Sequence, residues 1–204
     1  MRLTAVFESW HIGDGNYPPL KVGQAVNWSF QVEPVGKLER TDQPVMFDVA
    51  DDAECVFVSE VIRIYREPTE RPLGVFQAGE FRFYIEDESI ANFAVGDKVA
   101  GAGRLLFDYY IWVEFLHEYA APPNLFYPLQ VKRIRKVTLP IEFVTRHVRA
   151  VGHPTRLRGD QYAAGDIQDL DSMEGQTFGP EFYLIDLDSE GFSETNVPKS
   201  FLGS

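Results

Sequence analysis

Val26-Asn27-Trp28-Ser29-Phe30-Gln31-Val32 decides the fold class. Apolar Val26, Trp28, Phe30 and Val32 alternate with polar Asn27, Ser29 and Gln31, the period of two that buries one face of a β-strand. Phe81, Phe83 and Ile85 alternate with Glu80, Arg82 and Tyr84 in the same way, and Ile111, Val113 and Phe115 with Trp112, Glu114 and Leu116. Further strands are expected at 3–10, 55–65, 99–107, 129–137, 141–148 and 182–187, separated by clusters of Pro, Gly, Asn and Asp. Helical periodicity is scarce. Its best instance is 166–174, where Ile167, Leu170 and Met173 recur at helical spacing before Gly175, a plausible stop.

A weak internal repeat organises these strands. Leu20-Lys21-Val22-Gly23-Gln24-Ala25-Val26 aligns with Phe93-Ala94-Val95-Gly96-Asp97-Lys98-Val99 at an offset of 73 residues. Val61-Ile62-Arg63-Ile64 aligns with Val131-Lys132-Arg133-Ile134 at an offset of 70, so order and spacing are both kept. In each copy a glycine able to take positive φ precedes a strand, a pattern common at the start of small barrels. The expected fold is therefore all-β: two related barrel-like units of the OB or SH3 kind at 1–78 and 79–140, then a C-terminal extension at 141–204 carrying the short helix. A single β-sandwich is the alternative.

Composition supplies a core for such units. Of the 204 residues 45% are hydrophobic and 14% aromatic, far from the signature of disorder. The single cysteine, Cys55, has no partner for an internal disulfide, and the first ten residues lack the basic and apolar regions of a secretory signal. No apolar run approaches the roughly 20 residues needed to cross a bilayer. A cytoplasmic protein with no membrane contact is expected.

The net charge of −12 disfavours nucleic acid, whose binding replaces condensed counterions with Lys and Arg. The charge is unevenly spread: residues 1–131 carry 10 basic and 20 acidic groups, 132–158 carry 8 and 1, and 159–204 carry 1 and 10.

Trp10-His11, Gly15, Leu20, Val22-Gly23, Val26 and Trp28 resemble the opening of an uncharacterised bacterial domain family best represented in actinobacteria. The resemblance covers about the first 35 residues. Where that family has Cys-Cys-Gly after the aromatic opening, this chain has Ile12-Gly13-Asp14-Gly15-Asn16. The family carries no assigned activity, so the resemblance implies none.

The chain contains no Gly-x-Ser-x-Gly elbow, no phosphate-binding Gly-x-x-x-x-Gly-Lys, no helix-opening Gly-x-Gly-x-x-Gly and no His-Glu-x-x-His. Gly101-Ala102-Gly103 lies in a strand pattern, where glycine serves a barrel bend or close backbone approach. Trp10, His11 and Tyr17 around Asp14-Gly15-Asn16 read either as a binding loop or as turn chemistry beside core aromatics. Trp112 belongs to the strand that ends at His117, whose neighbours Glu114 and Glu118 would need a distant partner to hold a metal. Cys55 reads as a small buried hydrophobe. Asp166, Asp169, Asp171 and Glu174 do not match the calcium loop's spacing and read as a solvated acidic face.

Arg133 and Arg135, within Lys132-Arg133-Ile134-Arg135-Lys136 and followed by Arg146, His147, Arg149, His153, Arg156 and Arg158, form the main basic feature. It would hold an anion, or be neutralised by the acidic C-terminal region. The reading assigns no catalytic residue, metal or cofactor. It expects a non-enzymatic acidic interaction protein, of the immunity or inhibitor kind, whose partner is a basic protein. The alternative is an OB-like module that holds a small molecule or nucleotide through Arg133, Arg135 and exposed aromatics.

Overall fold

The computed structural model describes residues 1–13, 15, 17–66, 71–108, 116, 122–138, 166–176 and 181–189. Among them are twelve strands: β1 (Arg2–Glu8), β2 (Ala25–Trp28), β3 (Phe30–Pro34), β4 (Glu39–Arg40), β5 (Met46–Val49), β6 (Glu54–Tyr65), β7 (Leu73–Ala78), β8 (Phe81–Glu86), β9 (Lys98–Phe107), β10 (Tyr127–Thr138), β11 (Asp166–Leu170) and β12 (Glu181–Asp188). One helical turn, α1 (Trp10–Gly13), follows β1, and a 3-10 turn, Glu88–Asn92, follows β8. The protein is all-β. The expected strands at 111–115 and 141–148 lie outside the described residues.

The expected helix at 166–174 is corrected: its first five residues are strand β11, paired antiparallel with β10 from Thr138↔Asp166 to Ile134↔Leu170. Ile167, which the helical reading placed on an apolar face, is 56% exposed. Its backbone groups join a ladder with β10, and that pairing overrides the local spacing.

Contacts divide the chain into two compact units, one made of 1–26 with 129–197 and the other of 27–128 with the last seven residues. The segment 1–78 contributes to both units, and so does 79–140.

In the second unit β3, β8, β7, β6 and β9 close into a five-stranded barrel, because β9 pairs with β3 on one side and β6 on the other. β6, β7 and β8 form a meander, and β8 meets β3 in parallel. The alternation read from sequence fills the interior. Phe83 packs within 5.1–5.8 Å of Phe57, Phe47, Phe76 and Phe81, while Trp28 lies 4.4 Å from Phe107. Such ring pairs add about 0.5–1.5 kcal/mol each beyond area burial. Ser29 separates β2 from β3. Its hydroxyl bonds the Asp108 carbonyl, and its own carbonyl accepts from Asp108 N at 3.2 Å.

Closure depends on two glycines. A Cβ on Gly103 would stand 2.5 Å from the Glu33 carbonyl oxygen, and one on Gly101 2.6 Å from both Leu38 and Phe57. These are the close approaches expected of Gly101-Ala102-Gly103.

In the first unit β11, β10, β12 and β1 form an antiparallel sheet in that order. The two units share the geometry of the repeat. At the first turn Gln24 N donates to Lys21 O at 3.1 Å and Gly23 has φ 85°; at the second, Asp97 N donates to Ala94 O at 3.1 Å and Gly96 has φ 94°. The side chain of Gln24 accepts from Lys21 N, as that of Asp97 accepts from Ala94 N. Gly23 N donates to Val131 O and Val131 N to Gln24 O, at 2.7 and 2.9 Å; Gly96 N donates to Val61 O and Val61 N to Asp97 O, at 2.8 and 2.9 Å. A bulge then follows both valines, between Val131 and Arg133 and between Val61 and Arg63. Matches this detailed are not produced by chance likeness of short motifs. Each turn is answered by the strand of the other sequence copy, so the copies interleave.

Replacing Gly23 or Gly96 with alanine forces a left-handed L-residue but meets no atom within 4 Å. Each substitution is expected to cost about 1–2 kcal/mol, and the two costs should agree, because the strain is local and identical in kind. Gly103→Ala adds a backbone clash and should cost more than either. Urea unfolding of the three variants measures this.

Candidate functional site

The aromatic opening builds a closed cluster in the first unit. α1 begins directly after β1, and Ser9 O accepts from Ile12 N and Gly13 N, both at 3.2 Å. The indole of Trp10 stacks on His11 at 3.9 Å, and the imidazole lies 5.2 Å from Phe7. Tyr17 approaches Phe7 edge-on at 5.7 Å and donates its backbone N–H to His11 O at 3.0 Å. His11 is 2% and Tyr17 5% exposed, whereas Trp10 is 41% exposed, its Nε1 donating to Glu8 at 2.5 Å. Of these three residues only Trp10 offers a surface. Trp112 and His117 lie outside the described residues.

Arg133 and Arg135 both occupy β10, and both are engaged. Arg133 holds Asp169 of β11 through two hydrogen bonds, at 2.7 and 2.9 Å. Arg135, 7% exposed, pairs with Asp186 of β12, which also accepts from Thr4 Oγ1 at 3.0 Å. Lys136 reaches Glu181 at 2.8 Å and Gln176 at 3.1 Å. Lys132 donates to Gln130. The acidic strands β11 and β12 thus flank the basic strand and pair Arg133, Arg135 and Lys136, while Lys132 meets an uncharged amide. Arg146 to Arg158 lie outside the described residues.

A surface hollow of about 420 Å³ opens at the second turn, lined by Arg40, Thr41, Asp42, Gly96, Asp97 and Lys98. Its arginine is already held: Nε on Asp97 at 2.8 Å, a terminal nitrogen on Asn92 O at 2.6 Å, and the guanidinium 5.5 Å from the Phe93 ring centroid.

Cys55 points into the barrel wall of the second unit and is 3% exposed. Burial pushes its thiol up to about 12, outweighing a hydrogen bond from the Gly103 backbone. A thiolate nucleophile is thereby suppressed. Ellman's reagent at pH 8 should label Cys55 only at the rate of unfolding, with full reaction in urea.

The carboxylate distribution escaped the sequence reading. Residues 41–60 carry Asp42, Asp48, Asp51, Asp52, Glu54 and Glu60 and contain no Lys, Arg or His. All but Asp52 are exposed, and none of the six forms an ion pair among the described residues. The signal was available in a 20-residue charge count, but averaging over 1–131 diluted it.

Comparison with protein-family models, with curated proteins and with solved structures finds no match.

Two carboxyls are held below their ordinary range: Asp97 by the Ala94 amide and then Arg40, Asp169 by hydrogen bonding to Arg133. A carboxyl depressed in the folded state stabilises fully above its unfolded pKa, about 3.9, and the contribution is lost as pH falls through the lower folded value. Melting temperatures of Asp97→Asn and Asp169→Asn should therefore lie below wild type at pH 6 and converge with it towards pH 2.

Proposed function

We propose that this chain is a non-enzymatic acidic binding module whose partner is a basic protein, in the manner of an inhibitor or immunity protein. One observation carries the reading. Arg133, Arg135 and Lys136 of β10 are paired with carboxylates of the same unit, while the six carboxylates of 41–60 form no ion pair among the described residues. Net negative charge of this kind raises the encounter rate with a cationic surface over a range set by the screening length, about 8 Å at physiological salt. The alternative, a nucleotide or single strand held by Arg133 and Arg135, would have to displace Asp169 and Asp186. It would also need several exposed aromatic faces for stacking, whereas the barrel rings of the second unit are buried against one another and Trp10 is the one exposed ring among the described residues of the first.

The test is a pull-down from the source organism's lysate with the full chain as bait, followed by kinetics on the captured species. A basic protein is expected, with an association rate that falls steeply between 50 and 500 mM salt, concentrations of the order at which screening acts, and a dissociation rate that changes little. A neutral or acidic partner, salt-independent association, or a co-purifying small molecule with no protein would overturn the reading.

A further inference from the structure

The β5–β6 hairpin joins three features that arise independently. The first is backbone geometry. Ala50 N donates to Glu54 O at 2.8 Å and Ala53 N to Ala50 O at 3.0 Å, closing the loop with Ala53 at φ 69°, the one positive φ among described residues other than glycine. Ala50 N thus points across to Glu54, whose own N–H turns to Asp52 Oδ1 at 3.1 Å, so this position is on the hydrogen-bonding side of the hairpin. Alternation along the antiparallel ladder makes Asp48↔Val56 and Met46↔Val58 hydrogen-bonded pairs. The N–H and C=O groups of Phe47 and Val49 consequently point away from β6. Among the described residues β5 pairs with β6 alone, so this row is open.

The second feature is apolar. The side chains of Phe47 and Val49 share the face of Phe57 and Cys55, where Phe47 packs on Phe81 and Phe83. The opposite face presents Met46, 45% exposed, and Val56, 48% exposed, with Asp48 between them across the pair. Val45, next to Met46, is also exposed. The third is charge: the six carboxylates of 41–60, with no cation among them.

An open strand edge is a template for another strand, which natural proteins usually block with lysine or an inward charge. This edge carries Pro44 at its start and Asp48 on its outer face, and no lysine. A second copy of the chain would bring six more carboxylates against these six, so self-pairing is opposed. We propose that β5 is the docking edge for an extended, Lys- or Arg-bearing segment of the partner, which adds to the barrel as a strand beside Phe47 and Val49. Backbone hydrogen bonds would give the segment its register. Its outward side chains, alternating along the strand, would lie over Met46 and against Asp48, so a segment alternating apolar and basic residues fits best. β11, which among the described residues also pairs with a single strand, is less suited, since Asp169 is already bound to Arg133. The inference rests on the basic-partner reading and names its site.

The test uses the full chain, 15N-labelled, titrated with the peptide acetyl-(Lys-Val)3-Lys-amide, with acetyl-(Glu-Val)3-Glu-amide as control. Shifts should centre on the amides of Phe47 and Val49, those amides should become protected from hydrogen exchange, and the affinity should fall at least tenfold from 50 to 500 mM salt. The control peptide should do nothing. Asp48→Lys combined with Asp51→Lys should abolish binding. Val49→Pro should weaken it, because it removes an outward N–H that takes no part in the ladder with β6. Should Val49→Pro fail to fold, the double charge variant and the exchange data decide alone. Shifts spread over other carboxylates, with Phe47 and Val49 unmoved, overturn the edge while leaving the basic-partner reading intact. No shift at all up to millimolar peptide also overturns it, and the pull-down kinetics then decide the broader reading separately.

Discussion

The barrel of the second unit depends on how closely β3 can approach β9. Gly103 lies opposite Pro34 on one side and Cys55 on the other, so a single residue serves both neighbouring strands. The Glu33 carbonyl occupies the space a side chain would need. Close approach there lets β9 ladder with β3 through its C-terminal half and with β6 through its N-terminal part. With both ladders formed, Phe57, Phe76, Phe81 and Phe83 are confined to one interior and pack on each other. Burying a Phe side chain contributes about 1.5–3 kcal/mol, so the aromatic interior carries the stability that closure makes available.

The repeat shows how a short motif can specify long-range structure. A turn with glycine at its third position exposes two backbone groups, and these are taken by one valine of a strand that arrives from the other copy. That valine makes both bonds before its strand bulges, which changes the register on the far side. Because turn and strand come from different copies, neither sequence copy contains all the partners of its own turn. Sequence order and spatial units therefore differ, although the copies themselves were visible as offsets of 73 and 70 residues.

Much of the fold was legible because burial on one face imposes period two. Val26 to Val32 and Phe81 to Ile85 appear where alternation placed them, apart from the break at Ser29, which follows from hydrogen bonds to distant Asp108, and the strand at 99–107 appears between the breaker residues that bounded it. β5 was missed since Met46-Phe47-Asp48-Val49 is short and faces solvent on one side, and β11 was misread because its conformation is set by β10. The site residues divide along the same line. That Arg133 and Arg135 are basic is plain in the sequence, but that each has a carboxylate on the adjacent strand depends on pairings between residues 36 and 51 positions apart. His11 and Tyr17 were binding-loop candidates by type, and the structure buries both against Phe7.

Charge and shape thus act at different ranges in this molecule. In the first unit opposite charges sit on adjacent strands, where pairing satisfies them and leaves little field at a distance. Along 41–60 the carboxylates form no ion pair among the described residues, so their field is left to be damped mainly by salt over the screening length. Such a field speeds encounter but distinguishes cationic partners poorly, and exposed charge pairs contribute only about 0–1 kcal/mol each. Discrimination must come from groups that require contact. On this hairpin those are the backbone groups of Phe47 and Val49, unpaired among the described residues, and the exposed side chains of Met46 and Val56, which lie among the same carboxylates. A partner drawn in by charge therefore meets directional hydrogen-bonding groups and apolar surface at one place, and a cation lacking an extended, alternating segment would arrive as quickly and leave sooner.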